Sequence, residues 1–247
     1  RLSPRIGGDV AMIRRESFNL VAFGNFAEGF RPQLPGLNTL NNVVVPQLLR
    51  PEVTRNLEGG LRLRHRAVSA QASFFNMRKI DGQRSFRSGP EDFIFVNATS
   101  RVRGMESELR AILPKGASAY GNYAFHNARH IEFRPTVTAN FSGNRLRMSP
   151  RHIAGSGLAW TWRRFVWNGG VAYVGSRPLR DNVVASQILP SYTLLNTSLS
   201  VRLGPVQTVV SATNLTDRYY IADDFSAQDA GNPGLPRRLL VQVRYRF

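Results

Sequence analysis

The chain is written in twos. From Leu239 to Phe247, Leu239, Val241, Val243, Tyr245 and Phe247 fall on one face of an extended segment, while Gln242, Arg244 and Arg246 fall on the other, with Leu240 the one exception. The same alternation recurs at 192–203, where Leu195, Leu199, Val201 and Leu203 oppose Asn196, Ser198, Ser200 and Arg202. It recurs at 56–64, at 67–76 and around 105–111. Period-2 alternation is the signature of a strand with two different faces, and helical periodicity is nearly absent. The pattern and its spacing predict about eleven strands: 5–13, 18–27, 54–64, 67–78, 101–112, 117–127, 151–161, 165–176, 192–203, 206–215 and 237–247. Strands 5–13, 18–27 and 151–161 alternate poorly and rest on spacing alone.

The links between these strands alternate strictly in length. Short ones fall at 14–17, 65–66, 113–116, 162–164 and 204–205; long ones at 28–53, 79–100, 128–150, 177–191 and 216–236. A sandwich has no reason to gather its long loops at one end, whereas an outer-membrane barrel does, with turns inside the cell envelope and loops outside. Strands of about ten residues are long enough to cross a bilayer at a tilt. Trp160, Trp162, Phe165 and Trp167 gather at one short turn, as an interfacial aromatic girdle would. An antiparallel transmembrane β-barrel is therefore expected, with the apolar face toward lipid and the polar face toward a wet lumen.

Composition changes the picture little. The chain has 247 residues, no cysteine and a formal net charge of +17, from 33 Lys+Arg against 16 Asp+Glu. Such a balance suggests anionic partners. The arginines, however, recur singly along the whole chain, without a basic block or basic helix, which disfavours a nucleic-acid surface. The segment at Arg1 lacks a signal peptide's apolar core, and no run of about 18 apolar residues marks a transmembrane helix. Combined with the strand pattern, this leads to the expectation that the true N-terminus lies upstream.

Asn214-Leu215-Thr216-Asp217-Arg218-Tyr219-Tyr220, then Gly231-Asn232-Pro233-Gly234-Leu235-Pro236-Arg237, then a last strand ending Tyr245-Arg246-Phe247, is similar to the closing motif of TonB-dependent receptors. Thr216 stands where the family often has Phe. Glu28-Gly29-Phe30-Arg31-Pro32, Leu49-Arg50-Pro51-Glu52, Arg103-Gly104-Met105-Glu106 and Ser149-Pro150-Arg151-His152 also resemble family elements. The resemblance implies that residues 1–247 are the C-terminal half of a 22-strand barrel, with the plug domain and the N-terminal strands absent. It implies a receptor in the bacterial outer membrane for a ferric siderophore or similar scarce nutrient. The TonB complex would act through the missing plug, and the barrel assembly machinery would read a C-terminal signal containing Tyr245 and Phe247. Rival expectations are a passive porin or structural barrel, and a soluble basic β-protein that binds polyanions.

Candidate chemistry is sparse. No nucleophile set and no phosphate loop stands out, so neither an enzyme nor a cofactor is expected. His126 and His130 have i,i+4 spacing, which converges on a metal only on a helix; solvated histidines are expected, with His130 the one candidate for a ligand in a loop. Glu106 and Glu108 share the polar face, where cross-strand ion pairs with Arg62, Arg64 or Arg110 are expected rather than acid–base work. Asp223 and Asp224 make a weak calcium pair. The outer loops would carry Arg31, Arg84, Arg87, Arg129, Arg134, Arg145, Arg147, Arg177 and Arg180. Of these, Arg31, Arg84, Arg87, Arg129, Arg177 and Arg180, with His130, are the candidate ligand-binding set. They could steer an anionic ferric chelate or hold lipopolysaccharide phosphates.

Overall fold

The structure is a computed structural model, and it describes residues 2–33, 36–40, 43–87, 93–224 and 231–246. Eleven strands form one antiparallel meander in which each strand pairs with its neighbours in sequence. They are β1 (Arg5–Arg15), β2 (Phe18–Arg31), β3 (Glu52–His65), β4 (Val68–Arg87), β5 (Phe93–Leu113), β6 (Ala117–Glu132), β7 (His152–Trp162), β8 (Phe165–Val174), β9 (Tyr192–Leu203), β10 (Val206–Thr213) and β11 (Arg238–Tyr245). Because the pairing is consecutive and antiparallel, every short turn lies at one end and every longer connection at the other. β1 and β11 are the two ends of the path.

The expected long link at 79–100 is corrected. β4 runs to Arg87 and β5 begins at Phe93, so most of that segment extends the ladder as one tall hairpin. A register shift between Lys79 and Gly82 carries the ladder past Asp81, whose φ is 55°. Short strands alone were expected there because the alternation breaks at this bulge. The expected link at 28–53 also holds its own hairpin, Gly36–Leu40 with Val43–Gln47, which touches β5 at Thr39 and Phe93. The two-residue turns are tight. Arg66, Arg163 and Gly204 take the left-handed backbone they require, at φ 47°, 52° and 59°.

Register fixes the faces, because directly opposed residues in an antiparallel pair point the same way. One row near the turn end reads Leu113, Ala117, Trp160, Trp167, Leu199, Val210, Val241 across seven strands. A row nearer mid-height reads Leu20, Leu63, Ala70, Leu109, Gly121, Ser156, Val171, Leu195. The opposite face reads Val21, Arg62, Gln71, Glu108, Asn122. The apolar face is bare: Leu61 is 47% exposed, Phe74 66% and Val241 63%. A soluble sheet would bury that face. Here it stays uncovered while the polar face forms the hydrogen-bonded side, the inversion expected of a wall between lipid and water. Trp160 and Trp162 stack at 6.3 Å and Trp162 and Phe165 at 5.8 Å on the apolar side near the turns.

Candidate functional site

The polar wall binds mainly to itself. Arg62 donates to Asp9 at 3.2 Å and to Gln71 at 3.3 Å, and Asn25 donates to Glu58 at 3.3 Å. Glu106 meets His126 across β5 and β6 at 3.4 Å, a cross-strand pair. Glu108 instead pairs with Arg110, two residues along its own strand. These groups are exposed or part-buried at a wet face, where each such pair adds about 1 kcal/mol or less. Two glycines give this wall its aromatic contacts: a Cβ on Gly60 would stand 2.8 Å from the Phe23 ring, and one on Gly104 2.7 Å from the Phe75 ring. Arg62 in turn lies 4.1 Å above the Phe23 ring.

Above the wall, the loops pack into a braced rim. The segment after β6 folds back on its own strand: Gly143 N–H donates to the His130 carbonyl at 2.8 Å and His130 N–H to the Asn144 carbonyl at 2.9 Å. The His130 ring is fully buried. It sits 4.7 Å from the Phe133 ring, which contacts Phe141, which contacts Phe86. His130 Nε2 lies 2.8 Å from Asp181 Oδ1 in the next loop. Asp181 also accepts Arg147 N–H at 3.0 Å, and its backbone carbonyl accepts Asn144 Nδ2 at 2.9 Å. Burial alone would raise the Asp181 carboxyl. The hydrogen bond and charge of His130, the Arg147 amide and the Arg84 charge outweigh it and hold the group below its ordinary 3.8.

The next link in the rim is Arg177, which is 3% exposed. It donates to the Ile221 carbonyl and lies 5.2 Å from the Tyr192 ring, which is 4.4 Å from Tyr220. Beyond it stands Asn214, 3% exposed, at φ 49°. Its side-chain amide donates to the carbonyls of Arg218 at 2.9 Å and Leu235 at 3.1 Å, and its Oδ1 accepts Arg218 N–H at 2.8 Å. Asp217 accepts Arg237 N–H at 2.8 Å. The segment Asn214 to Arg218 is thus a clip between the end of β10 and the start of β11. At the other side of the sheet, Asn97 donates to the carbonyls of Arg50 and Asp81, and Arg50 pairs with Asp81 at 2.7 Å.

The candidate ligand set does not converge on one place. Arg84 lies on the polar side close enough to influence Asp181. Arg31 and Arg87 end β2 and β4 and are exposed; Arg180 is half-buried beside Asp181. Arg129 is on the other side of the wall, donating to Asn127 Oδ1 and the Gly143 carbonyl. His130 is not the solvated histidine expected, because the loop after β6 returns over it. That return depends on residues such as Asp181, 51 positions away, which no local pattern marks. Arg177 is likewise a packed strut. Tyr245 continues the apolar face beside Val206; Phe247 and the second member of the 223–224 carboxylate pair lack described side chains, while Asp223 pairs with Asn232 in a short hairpin.

A family model for the TonB dependent receptor-like β-barrel matches residues 1–216. The chain belongs to that family. A search of curated protein sequences finds no match. Among solved structures, the ferric yersiniabactin uptake receptor FyuA from Yersinia pestis superposes with a TM-score of 0.76 at 19% identity, covering 98% of this chain and 37% of that one. The ferric-catecholate import receptor Fiu from K12 E. coli gives 0.73 at 17%, covering 98% and 34%. The copper transporter OprC gives 0.77 at 16%, covering 98% and 39%. These likenesses are of fold, and the chain spans little more than a third of each relative. Barrels of this family are outer-membrane transport proteins, not enzymes.

Proposed function

We propose that these strands form one side of the wall and rim of an outer-membrane receptor that takes up a ferric siderophore or a comparable metal chelate. The carrying observation is the two-sided sheet capped by braced loops: a bare apolar face, a hydrogen-bonded polar face, and loops held still at one end. The proteins of like fold include ferric-chelate receptors and a copper transporter, which supports a metal-chelate cargo without choosing the metal. In this reading the plug and the remaining strands lie outside residues 1–247, and TonB acts through that plug. The edges at β1 and β11 are then closed by further strands, because an unpaired N–H or C=O group in hydrocarbon costs several kcal/mol. Arg31, Arg84 and Arg180 meet the anionic cargo at the mouth. The barrel assembly machinery and lipopolysaccharide are its envelope partners.

The test is growth of a strain lacking its own receptors, supplied with the full gene, on single ferric siderophores as the iron source. TonB-dependent growth on at least one, lost when Arg84 and Arg180 become Gln, supports the reading. Growth that persists without TonB favours a passive barrel instead.

A further inference from the structure

The polar face of the wall changes character beside the turns. Arg14 opposes Asn19, Asn19 opposes Arg64, Arg64 opposes Ser69, and Ser69 opposes Arg110, so arginine returns on every second strand of one row. The arrangement recurs across the sheet, where Arg202 opposes Gln207 and Gln207 opposes Arg244. Arginines two strands apart stand about 10 Å from each other at the backbone. The residue between them, Asn19, Ser69 or Gln207, is polar and uncharged. An open hollow of about 420 Å³ lies along the first row, among Asn19, Arg62, Arg64, Ser69, Gln71 and Arg110.

Little within the chain neutralises these charges. Among the described residues, the carboxylates of this face nearest the turns are Asp9 and Glu108, and each is already paired, Asp9 with Arg62 at 3.2 Å and Glu108 with Arg110. Glu16 lies in the first turn itself. Among the described residues, the side chains of Arg14, Arg64, Arg202 and Arg244 have no hydrogen bond or ion pair, and all four are exposed. The neighbouring turns add Arg66, Lys115, Arg163 and Arg164, so the field at this end is positive.

We propose that Arg14 and Arg64, with Arg110, form an exit-side site for the anionic metal chelate, and that Arg202 and Arg244 repeat it across the sheet. Two guanidinium forks close on one carboxylate or other oxyanion from either side, and the amide or hydroxyl between them donates from beneath. The place in the wall selects the occupant. The row faces away from lipid, so head groups do not reach it, whereas a solute that has crossed the lumen meets it last. Deeper in the wall Arg62 is already bound to Asp9 and Gln71 and offers no such free fork. The site rests on the receptor reading, which supplies the chelate, and lies at the opposite end of the lumen from Arg84 and Arg180.

The test uses the full receptor purified in detergent from outer membranes, with ferric citrate and metal-free citrate as probes in equilibrium dialysis at low salt. The Arg84→Gln/Arg180→Gln background removes the mouth, and ferric citrate binding should persist in it. Adding Arg14→Gln/Arg64→Gln should weaken that remaining binding about tenfold or more, the loss of charge-assisted contacts. Adding Arg163→Gln/Arg164→Gln instead removes the same charge from the turn beside Trp162 and Phe165, and should leave the binding unchanged. No binding left in the background, or equal losses for the two added pairs, overturns the site. Citrate that binds as tightly as ferric citrate assigns the row to free oxyanions and overturns the chelate as its occupant. Heat-modifiable migration reports separately on the barrel. A folded receptor with TonB-dependent growth and no binding at this row refutes the site and leaves the receptor reading standing. Loss of growth with binding intact strikes the receptor reading alone.

Discussion

At the turn end of the sheet the chain reverses in two or three residues, and the tryptophans stand at the surface. At the loop end lie Asn38, Ile94, Ala98, Thr99, Ser100, Ala128, His130, Phe133, Arg177, Leu179 and Asn214, all buried. The wall therefore takes its order from backbone ladders and from having different solvents on its two sides. The rim is packed like a small soluble domain, around polar groups that find their partners in other loops. In the wall, stability depends on which face a residue occupies. In the rim it depends on whether a particular hydrogen bond is made.

The largest effect that separates these regimes should come from the wall. Leu195→Arg places a charge on the lipid side in the row nearer mid-height and should cost about 2–4 kcal/mol. Leu194→Arg, one residue away on the polar face, should cost under about 1 kcal/mol. Unfolding of the receptor in lipid vesicles measures both, and equal costs would remove the distinction between the faces.

In the rim, Asn214→Ala strands the Arg218 amide and two carbonyls and puts alanine at a left-handed φ. It should cost about 1–3 kcal/mol, read by the same unfolding and by faster hydrogen exchange at Arg218. Exchange at Arg218 unchanged from the wild type would show that the clip is not the one described.

The Asp181 brace should show a defined pH response. Its carboxyl is held below 3.8 in the folded chain, so its contribution is present above that value and is lost as pH falls through the lower, folded value. Protection of the Arg147 amide should therefore be flat down to about pH 5 and fall only in stronger acid. Asp181→Asn should lower that protection at neutral pH by about 1 kcal/mol. Protection that already falls near pH 6 would assign the brace to another group.

The smallest effect should be at the turns. Arg163→Gly relieves a left-handed φ of 52° at an exposed two-residue turn, and should change stability by no more than about 0.5 kcal/mol. A loss as large as that of Asn214→Ala would erase the contrast between the ends.

The sequence by itself determined the wall. A period of two is read directly from neighbours, so Leu199, Val210 and Val241 declare a shared face before any fold is known. The strict alternation of short and long links declares the meander and its two ends. The closing segment from Asn214 to Arg218 was legible as a family motif, although its role as a clip was not. What only the tertiary structure decided is register and return. Arg55, Arg78, Arg101, Arg129 and Arg145 are spaced irregularly along the chain, and only the ladder, counted out from the turns, aligns them. His130 and Asp181 meet because two loops fold over the same end. Local pattern fixes which way a side chain points, because that depends on adjacent residues. It cannot fix what lies opposite, because that depends on how many residues each turn and bulge consumes.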